Sequence, residues 1–133
     1  MTEFSRDELY RFLHEMFTWI NQLTERKKEI SKEELHQFFL PNLKIYTNED
    51  LPICGLDSFY KHIQISVEQY KHSYAKLPFK ECLIENNKAA VYYTIHAITE
   101  RDEKYNLLAM SFFELENNKI SKWFEIVTEN ASA

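Results

Sequence analysis

Two ionisable residues stand out because each lies inside an otherwise apolar, strand-like run: His96 within Ala89 to Thr99, and Glu125 within Ile120 to Val127. Side chains alternate across a strand, so period-2 runs assign each residue to a face. With a tight register through every turn, one face collects Tyr92, Thr94, His96 and Ile98, then Leu108, Met110 and Phe112, then Trp123, Glu125 and Val127. An imidazole and a carboxylate set in an apolar concavity have shifted proton affinities, and acid–base work is placed on such groups. On this reading His96 is the general acid or base and Glu125 its orienting or charge-stabilising partner. The ligand pocket beside them is walled by Tyr92, Thr94, Leu108, Met110, Phe112, Trp123 and Val127. The same pair also fits a purely structural hydrogen bond, or a Glu at an exposed mouth, and spacing alone leaves these readings open.

The complementary face carries Val91, Tyr93, Ile95 and Ala97, then Leu107, Ala109, Ser111, Phe113 and Leu115, then Ile120, Lys122, Phe124 and Ile126. Neither face is polar enough to be left in water, and helices can cover only one. A two-fold homodimer through this second, outer face is the expected cover, with a larger wrap of the helices as the alternative.

The elements that must position these residues are also readable. Leu9, Phe12, Leu13, Met16, Phe17, Ile20 and Leu23 recur at helical spacing after a capping box formed by Ser5 and Glu8, which predicts a helix from Ser5 to about Leu23. Ser31 and Glu34 suggest a second, short helix over Lys32 to Phe39, stopped by Pro41. A short strand is expected over Leu43 to Thr47 and a loop over Asn48 to Gly55. The chain's one glycine, Gly55, then answers a backbone need such as positive φ or a tight helix entry. Phe59, Tyr60, Ile63, Val67 and Tyr70 predict a third helix ending near His72. Four strands follow, over Leu77 to Ile84, Ala89 to Thr99, Tyr105 to Leu115 and Ile120 to Val127, separated by Asn-rich or charged turns. The expected class is α+β, with three N-terminal helices and one short strand packed on a curved antiparallel sheet whose last four strands form a meander around a cone-shaped pocket.

Composition narrows the function classes. With 133 residues, 44% hydrophobic and 15% aromatic, the chain reads as a single domain over residues 1–133 with a real core. A net charge of -5 gives no basic footprint for nucleic acid; the run Arg26-Lys27-Lys28 is flanked by Glu25 and Glu29 and reads as a solvated loop or helix end. Met1 to Ile20 is interrupted by charges, so neither a signal peptide nor a membrane span is expected. Cys54 and Cys82 match no metal or disulfide spacing and read as thiols of a cytoplasmic protein. His36, His62 and His72 are scattered, and no metal site or cofactor is implied. Tyr10 and Trp19 read as core residues of the first helix.

The element order resembles that of the nuclear transport factor 2-like, or SnoaL-like, superfamily with its cystatin-like cone. This superfamily includes polyketide cyclases, ketosteroid isomerases and limonene epoxide hydrolases. Two segments carry the resemblance: Ile45-Tyr46-Thr47-Asn48 leading through Pro52 to Gly55-Leu56-Asp57-Ser58-Phe59, and Asn118-Lys119-Ile120-Ser121-Lys122-Trp123-Phe124-Glu125-Ile126. It implies a small-molecule pocket between helices and sheet, with Trp123, Glu125 and Val127 facing it, and dimerisation through the opposite face. It also implies either cofactor-free isomerase, cyclase or hydratase chemistry on an apolar ligand, or a non-enzymatic interaction module. The chain departs from the isomerases, having Tyr46, Thr47 and Asn48 where a general-base Asp is expected and Met110 where an oxyanion-stabilising Asp is expected. Cyclase-like relatives use a His and an Asp, for which His96 and Glu125 are loose substitutes.

Overall fold

The computed structural model describes residues 2–25, 27–48 and 51–129. Arg26 of the basic run, and Glu49 and Asp50 of the expected loop, lie outside the described residues, as do Met1 and residues 130–133. Helix α1 (Arg6–Thr24) starts at Ser5, whose side chain accepts from the Glu8 backbone while the Glu8 carboxylate accepts from the Ser5 backbone. Its apolar face buries Leu9, Leu13, Met16, Phe17 and Leu23. The second helix is shorter than expected, a 3-10 turn over Lys32–Gln37. Phe38, which ends the turn in a helical conformation, packs against Phe12 and Trp19, and Phe39, buried against Phe59 and Trp123, opens strand β1 (Phe39–Tyr46).

Strand β2 (Ile53–Cys54) pairs with β1, and Gly55, at φ 83°, then turns the chain into helix α2 (Leu56–Gln69). The Gly55 amide donates to the Leu43 carbonyl at 2.7 Å. Where the helix was expected to run on to His72, the chain becomes extended: strand β3 (Tyr70–Ala75) pairs with the far half of strand β5 (Lys88–Thr99). Strand β4 (Glu81–Glu85) pairs with the near half of β5, so two consecutive short strands share one edge. Strands β6 (Lys104–Glu116) and β7 (Lys119–Glu129) complete the sheet, ordered β2-β1-β7-β6-β5-β3. The sheet is mixed rather than all antiparallel, because β1 runs parallel to β7.

The feature that positions the site is in the last hairpin. Asn117 and Asn118 both have positive φ, 51° and 59°, as a two-residue hairpin turn requires, and Asn tolerates that region. Next to the turn Leu115 pairs with Ile120; one step on, Glu114 pairs with Lys122. Ser121 is the extra residue of a β-bulge, its hydroxyl donating to the Glu114 carbonyl at 3.1 Å. A one-residue slip exchanges the faces of every later side chain in β7 relative to β6.

The concave face is therefore Val91, Tyr93 and Ile95 of β5, Ala109, Ser111 and Phe113 of β6, and Trp123, Glu125 and Val127 of β7. Helix α1 packs into it: the Phe17 ring lies 5.0 Å from Tyr93 and 6.1 Å from both Phe113 and Trp123. The β5 and β6 residues expected at an outer dimer face are thus the helix-covered ones, with Tyr93 at 1% and Phe113 at 0% exposure. Two side chains of α1 also close the free edge of β3. Asn21 donates to the Ala75 carbonyl and accepts from its amide, at 2.9 and 2.8 Å, and the Thr24 hydroxyl donates to the Ser73 carbonyl. No described helix is long and apolar enough to cross a membrane.

Replacing Gly55 by Ala tests the helix entry. A Cβ there meets nothing nearer than the Pro41 carbonyl oxygen at 3.7 Å, so the penalty is backbone strain and not a clash. The expected loss is about 1–2 kcal/mol, read as a lower urea midpoint with unchanged slope.

Candidate functional site

Between α1, α2 and the concave face lies a cavity of about 270 Å³. Its walls are mainly apolar: Phe17 and Ile20 of α1, Phe59 and Ile63 of α2, and Ile45, Ile95, Leu107, Trp123 and Val127 of the sheet. Polar groups enter from every side: Glu125 and Tyr93 from β7 and β5, Tyr70, Ser73 and Tyr74 from β3, His62 and Ser66 from α2, Asn21 and Thr24 from α1, and Thr47 after β1.

Glu125, Tyr93, Ser111 and Trp123 form one hydrogen-bonded chain. The Trp123 indole N–H donates to Ser111 Oγ at 3.0 Å, the Ser111 and Tyr93 oxygens are 2.9 Å apart, and the Tyr93 hydroxyl donates to Glu125 Oε2 at 2.8 Å. Ser111 Oγ is also 3.5 Å from the same carboxylate oxygen. Indole is a donor only and the carboxylate, when ionised, an acceptor only, so the chain has a direction: Trp123 to Ser111 to Tyr93 to Glu125. Burial pushes the Glu125 carboxyl above the ordinary carboxylate value, and the hydrogen bonds from Tyr93 and Ser111 pull it part of the way back. Burial, and then the neighbouring Glu125 charge, raises the Tyr93 phenol well above its ordinary value. Tyr93 thus stays a proton donor to the carboxylate.

The candidate residues named from sequence divide between the two faces. Trp123, Glu125 and Val127 line the cavity. Tyr92, Thr94, His96, Leu108, Met110 and Phe112 do not; they lie on the convex face or along its strands, with Met110 pairing Ile126 and Phe112 pairing Phe124 across β7. The shared His96–Glu125 site is therefore corrected. His96 Nδ1 instead bonds the Asn106 side chain, and its ring packs 5.2 Å from Tyr74. The physical cause is the Ser121 bulge, which turns β7 over relative to β5 and β6. Tyr93, Ile95, Ala97 and Leu107 of the sheet and His62 of α2 line the cavity although the sequence pattern did not place them there, and Ser111 lies buried behind Tyr93. The Asn117-Asn118 turn followed by a serine was the one local sign of the bulge. Elsewhere, the His14 ring lies between Tyr10 and Phe79, 4.6 and 4.8 Å away, and Trp19 donates to Glu34. Among the described residues no group of three or more His, Cys, Asp or Glu gathers as metal ligands would.

No protein-family model matches the chain, and no curated protein matches it in sequence. Solved structures do. A SnoaL-like protein of Jannaschia sp. CCS1, assigned as a polyketide cyclase, superposes with a TM-score of 0.78 at 6% identity over 96% of this chain and 91% of its own. A nuclear transport factor 2-like protein of Anabaena variabilis ATCC 29413 gives 0.76 at 10% identity, covering 98% and 96%. A SnoaL-like polyketide cyclase of Agrobacterium tumefaciens strain C58 gives 0.73 at 11%, covering 90% and 91%. The chain has the nuclear transport factor 2-like, SnoaL-like fold. At these identities the likeness concerns the fold, and chemistry has to be argued from the site. In this SnoaL-like cone, that site offers one carboxylate of raised proton affinity, a phenol that donates to it and an apolar chamber large enough for a small molecule. Such a group holds its proton to higher pH than an ordinary carboxylate does.

The raised Glu125 value has a stability consequence. The folded state favours its protonated form, so the stability that this residue contributes is fully present below the ordinary value of 4.5 and is lost as pH rises through the folded value. Glu125→Gln lacks that loss. Denaturant midpoints measured between about pH 4 and 8 should move in favour of the variant as pH rises; parallel curves would contradict the assignment.

Proposed function

We propose that the cone cavity binds a small, largely apolar molecule and that Glu125 meets its polar end as a proton acceptor or donor, in cofactor-free chemistry of the isomerase, cyclase or hydratase kind. The observation that carries this reading is the single carboxylate set at the end of a hydrogen-bond chain in an apolar wall. At about 270 Å³ the cavity is a little below the ~300–1,000 Å³ usual for drug-sized ligands, so a one-ring molecule or short chain suits it. Tyr93 orients the carboxylate, and Ser111 and Trp123 hold Tyr93. The fold likeness to proteins described as polyketide cyclases supports a ligand cone without naming a ligand.

A panel of small ketones, epoxides, lactones, alcohols and amines should contain members that raise the melting temperature of the wild type, and Val127→Trp, which fills the chamber, should abolish the shift. Turnover of any panel member should fall by about a hundredfold or more in Glu125→Gln, the usual scale for a general acid or base. Absence of any ligand-induced shift sinks the reading.

A second reading, association, is favoured by the convex face. Met110 and Ile126 are 56% and 66% exposed and pair across β6 and β7, beside Phe112, Phe124 and Tyr46, whose rings are in contact. We propose a homodimer through this face, which keeps Phe124 and Ile126 of the expected outer face and joins them to Met110 and Phe112 of β6. Sedimentation should give a dimer that Ile126→Glu converts to monomer; a monomeric wild type at about 0.1 mM contradicts it.

A further inference from the structure

We propose that the polar end of the cavity's ligand is a protonated amine, so that the chamber selects small amphiphilic amines over neutral or anionic molecules of the same shape. The proposal rests on the cavity being a ligand site and goes beyond it by assigning the ligand's charge.

Three observations carry it. First, Glu125 is the one carboxylate of the wall, and no Lys or Arg lines the cavity among the described residues. A carboxylate taken out of water without a countercharge is costly, and neutral donors offset only part of that cost. Second, Tyr93 donates to Oε2, and Ser111 Oγ lies 3.5 Å from that same oxygen. The chain that begins at the Trp123 indole spends its protons on reaching the carboxylate. What it presents to a ligand is an acceptor, which an ammonium complements and which a carbonyl or carboxylate does not. Third, aromatic rings of Phe17, Phe59, Tyr93 and Trp123 line the same chamber, and the faces of such rings attract cations most strongly where water is excluded. The chain's net charge of -5 adds a weak, long-range bias in the same direction. The other titratable groups of the wall are His62 from α2 and Tyr70 and Tyr74 from β3.

Phenethylamine, 2-phenylethanol and phenylacetate are near-isosteres carrying positive, zero and negative charge, and at about pH 7.5 the amine is protonated. Isothermal titration of the full chain should show the amine binding about tenfold or more tighter than the alcohol, and the acid weakest. Glu125→Gln should remove the preference, bringing the affinities of the amine and the alcohol to within about threefold of each other. Tyr93→Phe, which keeps the carboxylate, and His62→Gln should both retain it. Should Glu125→Gln fail to fold, the wild-type ranking decides alone. Equal binding of amine and alcohol, or tighter binding of the acid, overturns the amine assignment and leaves the ligand cavity standing. Failure of all three to bind overturns both.

Discussion

One extra residue in β7 decides what this protein's concave surface contains. Ser121 lies between the Leu115 to Ile120 pair and the Glu114 to Lys122 pair, so every later side chain of β7 faces opposite to where an uninterrupted hairpin would send it. Without that bulge Trp123, Glu125 and Val127 would share the outer surface with Met110 and Phe112, and the cavity would have no acidic group. With it, Trp123 enters the aromatic cluster around Phe17, Phe39 and Phe113, and Glu125 comes opposite Ser111. The serine hydroxyl that bonds Glu114 makes the irregularity self-sufficient, since the bulge leaves that carbonyl with a partner.

Around this constraint the rest of the fold acts as a frame. Helix α1 packs on the concave face at Phe113 through Phe17, while Asn21 and Thr24 fasten its end to the edge of β3. Those bonds satisfy backbone groups that an edge strand would otherwise expose, and they fix the distance between helix and sheet. At the opposite wall Asn48 accepts from the Val127 amide at 2.8 Å and donates to its carbonyl, holding the end of β7 beside β1. The chamber is the space that these fastenings leave open. Its chemistry follows from the hydrogen-bond chain, because a carboxylate that accepts from a phenol, itself held by a serine, in an apolar wall has a fixed orientation and an altered proton affinity.

The helices, the Gly55 entry and the four final strands were legible because periodicity and turn chemistry are local properties. So was the capping box of Ser5 and Glu8. The 3-10 turn was not, since the early start of β1 depends on where Phe38 and Phe39 find burial. Nor was β3, because Tyr70 to Ala75 continues a helical pattern and becomes extended only by pairing with β5. The site was half legible for one reason. Alternation correctly grouped residues within each strand, and correctly placed β5 against β6, where Tyr92 opposes Met110 and Thr94 opposes Leu108. It failed between β6 and β7, so His96 was joined to Glu125 and Tyr93 separated from it. A bulge is a pairing property of two strands, and one strand's pattern carries only a trace of it.

The account turns on Glu125 being a cavity carboxylate bonded by Tyr93, with His96 on the other side of the sheet. Carbon-13 NMR titration of the Glu125 side-chain carboxyl tests this most directly. The expected midpoint lies above the ordinary 4.5, falls back toward it if Val127 is cut to Ala and water relieves the burial, and is insensitive to His96→Ala. A midpoint at the ordinary value, or one that moves when His96 is removed, would contradict it.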